Sequence, residues 1–262
     1  MPIECVRRDI AMEKKFTLII PTYNEAGIIR TTLARVVGDF SAHMTIPWQI
    51  IVSDNASTDN TVSEVEAFGD ARVRALRLNE KGRGRAIRAG FQAAGGGIVA
   101  FTDSDLPISP LDIVEALNLI LGGEYEVVIG SRFMRGADAS ERPKIRNIVS
   151  HGFLILAKLI TGLRSSDSQC PLKMMNERTT PVMLATEDMT WWSELEYTLL
   201  VERLGITYKE MPVVWHEKEY AGRPSTVTIA RDSMNAVKSM FRIRFALSKK
   251  VNAVRALLEQ SA

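Results

Sequence analysis

The segment Phe101-Thr102-Asp103-Ser104-Asp105 ends an apolar run with two carboxylates separated by one residue. Paired carboxylates are hard oxygen ligands, and a Mg2+ or Mn2+ ion held by them can also take the oxygens of a diphosphate. Asp54, at the head of Asp54-Asn55-Ala56-Ser57-Thr58-Asp59-Asn60-Thr61, ends a second apolar run. A carboxylate there can accept the imide hydrogen of uracil or the N1 and N2 hydrogens of guanine. Ser57 and Asp59 have the character of turn and helix-cap residues. Pro21-Thr22-Tyr23-Asn24-Glu25 closes a third run, with Asn24 placed to cap a helix. Lys81-Gly82-Arg83-Gly84-Arg85 sets cations and glycines ahead of a helical pattern, and a helix N-terminus that can be approached closely is suited to phosphate. The segment lacks the Gly-Lys-Ser/Thr of a Walker loop and is not a full dinucleotide fingerprint. A basic surface turn is the plainer reading of the same residues.

These groups act together only if the chain brings them to one edge. Apolar runs over 16–21, 49–53, 73–78, 98–102 and 126–129 read as strands, and helical patterns over about 25–37, 60–68, 85–94 and 111–121 lie between them. Ser109-Pro110 supplies an N-cap and a first-turn proline for the helix over 111–121. Repeated strand–helix units imply an α/β fold with a Rossmann-like, mostly parallel central sheet and helices on both faces. In open α/β sheets ligands bind outside the carboxyl ends of the strands, so the motifs at 21, 54 and 103 are expected to line one crevice. From Arg132 the rhythm changes to a polar loop, an apolar helix over 144–163, a short strand near 172–175 and a helix over 193–204.

Residues 1–15 read as a polar leader, and 229–262 as a basic amphipathic helical tail. In the tail, Val237, Met240, Leu247, Val251, Val254 and Leu258 fall at three/four spacing among Lys238, Arg242, Lys249, Lys250 and Arg255. Two placements fit it: peripheral contact with an anionic leaflet, or packing on the domain or on another subunit of a homo-oligomer.

With 262 residues, 46% of them hydrophobic, the chain can bury a full core. A net charge of +2, with cations concentrated over 231–250, argues against a general nucleic-acid binder and for a local anionic contact. Cys5 and Cys170 are too few for a disulfide framework and no apolar signal region precedes Phe16, so a reducing cytoplasm is the expected location. The longest apolar run, 147–163, contains His151 and Lys158 and falls short of the roughly 20 clean apolar residues of a spanning helix. His43, His151 and His216 lack the spacing of a zinc site or a catalytic triad.

The ordered set Pro21-Thr22-Tyr23-Asn24-Glu25, 52–61, Lys81-Gly82 with Ala86 and Gly90, Asp103-Ser104-Asp105 and Gly130-Ser131-Arg132 resembles family 2 glycosyltransferases of the GT-A fold. Within them it looks most like the dolichyl- or polyprenyl-phosphate glucosyl and mannosyl synthases. Asp167-Ser168-Gln169-Cys170-Pro171-Leu172-Lys173 is similar to the Asp-Thr-Gln-Cys-Gly-Phe-Lys segment of dolichyl-phosphate glucosyltransferases, and Trp191-Trp192-Ser193-Glu194-Leu195-Glu196 to their Trp-x-Phe-Asp-x-Glu. The match runs from Phe16 to about Trp215. It implies a GT-A domain over 16–228, with 16–131 the nucleotide-sugar half and 132–228 the acceptor half.

The resemblance further implies that Pro21, Tyr23, Glu25, Asp54 and Lys81 hold the donor, that Asp103 and Asp105 hold ribose and a Mg2+ or Mn2+ ion, and that Gln169 and Glu194 lie near the sugar. Arg132, with Arg146 and Ser150 one helical turn apart, would bind the acceptor phosphate. From the residues alone, Arg146 and Ser150 are an i,i+4 pair on an amphipathic helix. Mannosyl synthases of this group carry Gln where this chain has Pro107, and Asn55-Ala56 replaces their usual Asp-Gly. The membrane-spanning helices that follow the catalytic domain in many bacterial relatives have no counterpart in this reading. The expected reaction is inverting transfer of a hexose from UDP-glucose or GDP-mannose to polyprenyl phosphate, whose own charge makes a general base unnecessary. The alternative keeps the donor and uses a saccharide or small-molecule hydroxyl, for which Asp167, Glu194 or Glu196 is the candidate base. Glu194 and Glu196 also fit exposed charges favoured by a helix start. A third reading, nucleotide-sugar binding without turnover, draws on Pro107 alone.

Overall fold

A computed structural model describes residues 14–217 and 229–260. Of the expected segments, 1–13 of the leader, 218–228 and the last two residues of the tail lie outside them. Among the described residues the strands are β1 (Phe16–Thr22), β2 (Trp48–Asp54), β3 (Val73–Arg77), β4 (Ile98–Phe101), β5 (Val127–Ser131), β6 (Lys173–Met175) and β7 (Tyr208–Pro212). The helices are α1 (Ile29–His43), α2 (Thr61–Glu66), α3 (Arg83–Ala94), α4 (Pro110–Leu121), α5 (Lys144–Thr161), α6 (Thr180–Leu184), α7 (Ser193–Leu204) and α8 (Ile229–Gln260), with a 3-10 turn over Glu177–Thr179.

The strands form one sheet in the order β3-β2-β1-β4-β6-β5-β7, parallel except for β6, which runs antiparallel between β4 and β5. Alternate side chains explain the three layers. Ile19, Ile51, Val99, Phe101, Val127, Ile129 and Met175 face one side, where α3 and α5 to α8 pack. Leu18, Ile20, Ile50, Val52, Ala100, Val128 and Met174 face the other, under α1, α2 and α4. Strands covered on both faces read as unbroken apolar runs, which is why β1, β2 and β4 are visible in the sequence. In β1 and β2 the register pairs Thr22 with Asp54, so their carboxyl ends are level. β4 stops opposite Ile19, and Asp103 and Asp105 follow on the loop beyond it.

The differences from expectation have local causes. α1 begins at Ile29 rather than near Glu25, because Asn24 sits in left-handed backbone (φ 56°) and its side chain accepts from Thr58 N–H at 2.8 Å instead of capping. α3 starts at Arg83, two residues before the expected Arg85, and α5 stops at Thr161 where Gly162 takes a left-handed C-cap. β7 was not expected, since Tyr208-Lys209-Glu210 alternates at a half-buried sheet edge. The apolar stripe of α8 packs on the domain: Met240, Leu247, Val251, Val254 and Leu258 are buried, together with Ala236 and Ile243.

Gly90 marks the closest approach of α3 to the sheet, and a methyl group there would collide with the Ile19 side chain on β1. Gly38 on α1 has nothing within 4 Å of a Cβ. Gly90→Ala is expected to destabilise the protein by about 1–3 kcal/mol through overpacking, whereas Gly38→Ala should stabilise it by roughly 0.5–1 kcal/mol. Urea unfolding of both variants checks the pair.

Candidate active site

The turns after β1 and β2 are stitched together across the sheet rim. Asn24 N–H donates to Ser57 Oγ at 2.9 Å, Glu25 N–H to Thr61 Oγ1 at 2.7 Å and Ala26 N–H to Asp59 Oδ2 at 3.2 Å. Asn24 and Ala56 both hold positive φ here, a strain of the kind that functional turns retain. Asp54 is fully buried at the bottom of this wall; its Oδ2 accepts from Ser57 N–H at 3.1 Å and its Oδ1 has no hydrogen-bond partner. An orphaned buried carboxylate oxygen costs free energy unless a ligand completes it. Pro21 is buried beneath the wall, and above it Lys81 bonds the Tyr23 hydroxyl and lies 4.2 Å from its ring centre. Gly82 N–H donates to Asn55 Oδ1 at 2.5 Å, and its φ of 154° lets the chain pass Met189 O where a Cβ would not fit.

From this wall a chain of charges runs inward. Arg83, at the first position of α3, donates from Nε (3.2 Å) and Nη2 (2.7 Å) to Asp103 Oδ1 and from Nη1 to Glu194 Oε1. Lys173 Nζ reaches Glu194 Oε2 at 3.2 Å and the Cys170 carbonyl at 2.7 Å. Arg83, Glu194 and Lys173 side chains are 9%, 2% and 0% exposed, against 31% for Asp103. Burial disfavours the charge on Arg83, but Asp103 and Glu194 outweigh it and hold its pKa above the usual arginine value. Glu194 is therefore an anchor for two buried cations, not an exposed helix-start charge. Glu196 is likewise buried; it accepts from the backbone N–H of Glu187 and Asp188, both at 2.9 Å, and pairs with Lys250 of α8.

The second cluster lies beyond β5. Arg132 forks onto Asp167, Nε to Oδ2 at 2.6 Å and Nη2 to Oδ1 at 2.8 Å, and both side chains are buried. Burial pushes the Asp167 carboxyl up, yet the Arg132 guanidinium more than offsets this and leaves it below the usual carboxylate range. Gln169 N–H also reaches Asp167, at 3.0 Å, while Gln169 Nε2 is buried without a hydrogen-bond partner. Ser150 Oγ accepts from Arg142 Nη1 at 3.0 Å, and Arg146 pairs with Glu217. Arg132 and Arg142 flank the Trp215 ring at 5.1 and 5.5 Å, and Glu217 accepts from Trp215 Nε1 at 2.8 Å. Burial and the neighbouring positive charge of Arg132 push Arg142 down to about 10. Burial lifts the Cys170 thiol to about 12, so it is not a thiolate nucleophile at neutral pH.

The expected residues thus meet in two groups, Pro21, Tyr23, Glu25, Asp54, Lys81, Asp103 and Asp105 on the first rim and Arg132, Gln169, Arg146 and Ser150 on the second, with Glu194 between them through Arg83 and its electrostatic reach to Arg132. Arg146 and Ser150 do not bond each other; each has its own partner. Arg83 and Lys173 stood inside quoted motifs without a site role of their own, and Arg142 and Trp215 were given none. Arg83 had a signal, a cation between glycines at a helix start. Arg142, in the aperiodic segment Glu141-Arg142-Pro143, had none. Pro107 is buried and its carbonyl accepts from His216 N–H at 2.8 Å, tying the Asp103–Asp105 loop to the chain after β7.

A chain that places paired carboxylates, a buried aspartate with one unpartnered oxygen and a cationic cluster along one α/β rim has the construction of a nucleotide-sugar transferase. Residues 17–179 match the family model described as glycosyl transferase family 2, and the chain belongs to that family. It is 30% identical over 254 residues to the dolichyl-phosphate beta-glucosyltransferase of Saccharomyces cerevisiae, covering 88% of this chain and 74% of that one. It is 26% identical over 253 residues to glycosyltransferase AglD of Haloferax volcanii, covering 92% of this chain but only 40% of that protein. The fold is GT-A: the structure of glucosyl-3-phosphoglycerate synthase from Mycobacterium tuberculosis, in complex with Mn2+ and UDP-glucose, superposes with a TM-score of 0.62 at 19% identity, over 88% of this chain and 79% of that one.

Glu194→Ala would leave Lys173 buried without its carboxylate and Arg83 with Asp103 alone. Removing one partner of a buried pair costs about 3–5 kcal/mol, and a double-mutant cycle with Lys173→Met should return a coupling of about 0.5–3 kcal/mol. Denaturant unfolding checks this; an inactive Glu194→Ala with wild-type stability would show that Glu194 is not an anchor.

Proposed function

We propose that this chain moves a hexose, with inversion, from a nucleoside diphosphate sugar of the UDP-glucose or GDP-mannose type to polyprenyl or dolichyl phosphate. The observation that carries the reading is the fate of every candidate base. Asp167 is consumed by Arg132, Glu194 by Arg83 and Lys173, and Glu196 by Lys250 and two backbone N–H groups. A hydroxyl acceptor needs a proton acceptor. A phosphate acceptor does not, because with a second pKa of about 6 it arrives already anionic. The cations that remain around Trp215 suit such an anion, and the names of the yeast relative and of other curated relatives point the same way.

In this reading 16–131 form the donor half. Asp54 Oδ1 accepts the ring N–H of the base, Tyr23 and Lys81 close over the nucleotide, and Pro21 and Glu25 shape the wall. Asp103 and Asp105 fit a Mg2+ or Mn2+ ion: both Arg83 bonds end on Asp103 Oδ1, and such an ion needs only one or two carboxylates when a diphosphate completes its shell. Among the described residues there is no group of three or more His, Cys, Asp or Glu that would make an all-protein metal cage. When bound, the metal neutralises charge developing on the leaving diphosphate. Residues 132–228 form the acceptor half, where Arg142, Arg132, Arg146 and Ser150 receive the acceptor phosphate on the far side of the sugar, and direct attack inverts the anomeric carbon. Gln169 Nε2, buried and unpaired, is placed to complete its bonding on the sugar. The work is then done in the cytoplasm at the membrane surface where a lipid phosphate resides. Among the described residues no helix is long and apolar enough to cross a membrane.

A radiolabelled donor panel with a short-chain polyprenyl phosphate tests the reading; transfer to a free sugar or glycoside but to no lipid phosphate would overturn it. Asp105→Ala is expected to abolish metal-dependent turnover, with a loss of several kcal/mol of transition-state stabilisation. Full activity in excess chelator would remove the metal.

Arg142→Ala should weaken use of the lipid phosphate by one to two orders of magnitude, since a charge-assisted hydrogen bond contributes about 1.5–3 kcal/mol and about 1.4 kcal/mol is tenfold. Donor KM should stay near wild type. Arg142→Lys should rescue in part, keeping charge but losing the planar fork.

A further inference from the structure

Helix α5 has two opposed faces. Its N-terminal part presents Ser150 to Arg142, and Ala157 and Thr161 are buried against the domain. Ile145, Ile148, Ile155, Leu156 and Leu159 are 58%, 66%, 58%, 43% and 77% exposed. At 3.6 residues per turn these positions, with Gly152, fall on one stripe running the length of the helix on the side away from Ser150. A soluble surface scatters single exposed apolar residues; a continuous stripe of large aliphatic ones marks something that covers it. α8, which packs against α5, adds Met234, Phe241 and Phe245 at 62%, 47% and 82% exposure on one face of its own, the two phenylalanine rings stacked 6.4 Å apart.

We propose that the outward stripe of α5 and the exposed phenylalanines of α8 seat the protein on the surface of an anionic lipid bilayer. The proposal deepens the lipid-phosphate reading and rests on it for the substrate that the surface would serve. Charge argues for this occupant. Neither helix has an aspartate or glutamate over 144–161 or 234–258, while Lys144, Lys158, Lys238, Arg244, Lys249 and Arg255 are exposed. Arg244 and Arg255 also line a hollow with Arg203 of α7. Apolar side chains flanked only by cations are the signature of a surface that lies in an anionic interface. A second copy of the chain, docked by the same face, would bring these cations against each other. Continuity argues for it too: the helix that exposes the stripe also carries Arg146 and Ser150, so a phosphate bound there would lie across one helix diameter, about 10 Å, from the bilayer the helix rests on, a distance its hydrocarbon chain can span. The seat is thus α5 with the outer face of α8, while the regular stripe of α8 is spent on the core.

Vesicle co-sedimentation tests the seat without acceptor, using phosphatidylcholine alone and phosphatidylcholine mixed with phosphatidylglycerol, at low and high salt. The wild type is expected to bind the anionic vesicles about tenfold better than the neutral ones, with the preference lost in high salt. Ile155→Glu with Leu159→Glu, and separately Phe241→Ser with Phe245→Ser, should each lower binding to the anionic vesicles about tenfold. Leu111→Glu, at an apolar position on α4 as exposed as Phe241, should not. Both double variants should keep wild-type thermal stability and full transfer to a short-chain polyprenyl phosphate in solution, and lose transfer to a long-chain one embedded in vesicles. Wild type that uses lipid phosphate but ignores vesicles would overturn the seat and leave the reaction standing. Vesicle binding that the variants abolish, in a protein that uses no lipid phosphate, would support the seat and overturn the reaction. A wild-type dimer in solution that the α5 variant dissociates, with no vesicle binding, would give the stripe to a second copy and overturn the proposal.

Discussion

The site depends on how the interior tolerates Glu194. A carboxylate 2% exposed, with Arg83 on one oxygen and Lys173 on the other, is stable only because the charges of Glu194, Asp103, Arg83 and Lys173 compensate one another. The residues come from three places, Arg83 from the start of α3, Lys173 from the antiparallel strand β6 and Glu194 from the first turn of α7. Their meeting therefore joins the rim made by the first half of the chain to the elements contributed by the second. β6 completes the sheet between β4 and β5, and its short length is compensated by the ionic contact at its beginning. The α7 N-terminus adds a favourable dipole for the Glu194 charge. Asp103 hangs on the same chain through Arg83, so the position of that carboxylate is fixed from beneath.

Preorganisation also explains the first rim. Ser57, Asp59 and Thr61 accept from the backbone N–H groups of Asn24, Ala26 and Glu25, and the Asn24 side chain accepts in return from Thr58 N–H, with left-handed backbone at Asn24 and Ala56. Non-glycine residues resist that conformation, and the reciprocal bonds hold it. What this leaves open is as informative as what it closes. Ser57, Asp59 and Thr61 are occupied by the opposing turn, while Asp54 keeps one oxygen without a partner.

The sheet was legible because burial on both faces writes itself as uninterrupted Ile, Val, Leu and Phe, and the boundaries of α7 follow from its apolar pattern and Gly205. The direction of β6 was not legible, since three residues carry no sign of whether a strand runs with or against its neighbours. The rim motifs were readable as a set, but their partners were not. The family resemblance made Arg132 and Arg146 anion ligands, and the structure gives each a carboxylate, Asp167 and Glu217, from 35 and 71 residues away in sequence. For Glu194 and Glu196 the sequence left open an exposed helix-start charge beside a role as base, and for Glu194 a place near the sugar; only the tertiary arrangement of Arg83, Lys173 and Lys250 reveals that they are buried. Arg142 was silent for a similar reason: its neighbours Arg132, Ser150 and Trp215 are brought to it by the fold and by no local pattern.

The pairing of arginines with carboxylates bears on how an acceptor enters. Arg132 is buried in the fork of Asp167, and taking it away would leave that carboxylate uncompensated, so in the proposed reading Arg132 would act on an incoming anion mainly as a fixed positive field across the Trp215 ring. Arg142 differs. Its bonds go to neutral partners, Ser150, Asn147 and the Arg146 carbonyl, so exchanging one of them for a phosphate oxygen uncovers no buried charge. Burial and the field of Arg132 already disfavour its charge, and an anion would relieve both. Arg146 lies between these cases, since its partner Glu217 also holds Trp215 and a phosphate drawing Arg146 away would leave that second bond in place. The cheapest path for an anion is therefore onto Arg142 first. In the proposed reading that would place the acceptor phosphate on the inner side of the α5 N-terminus, with the exposed aliphatic stripe of the same helix on the opposite side.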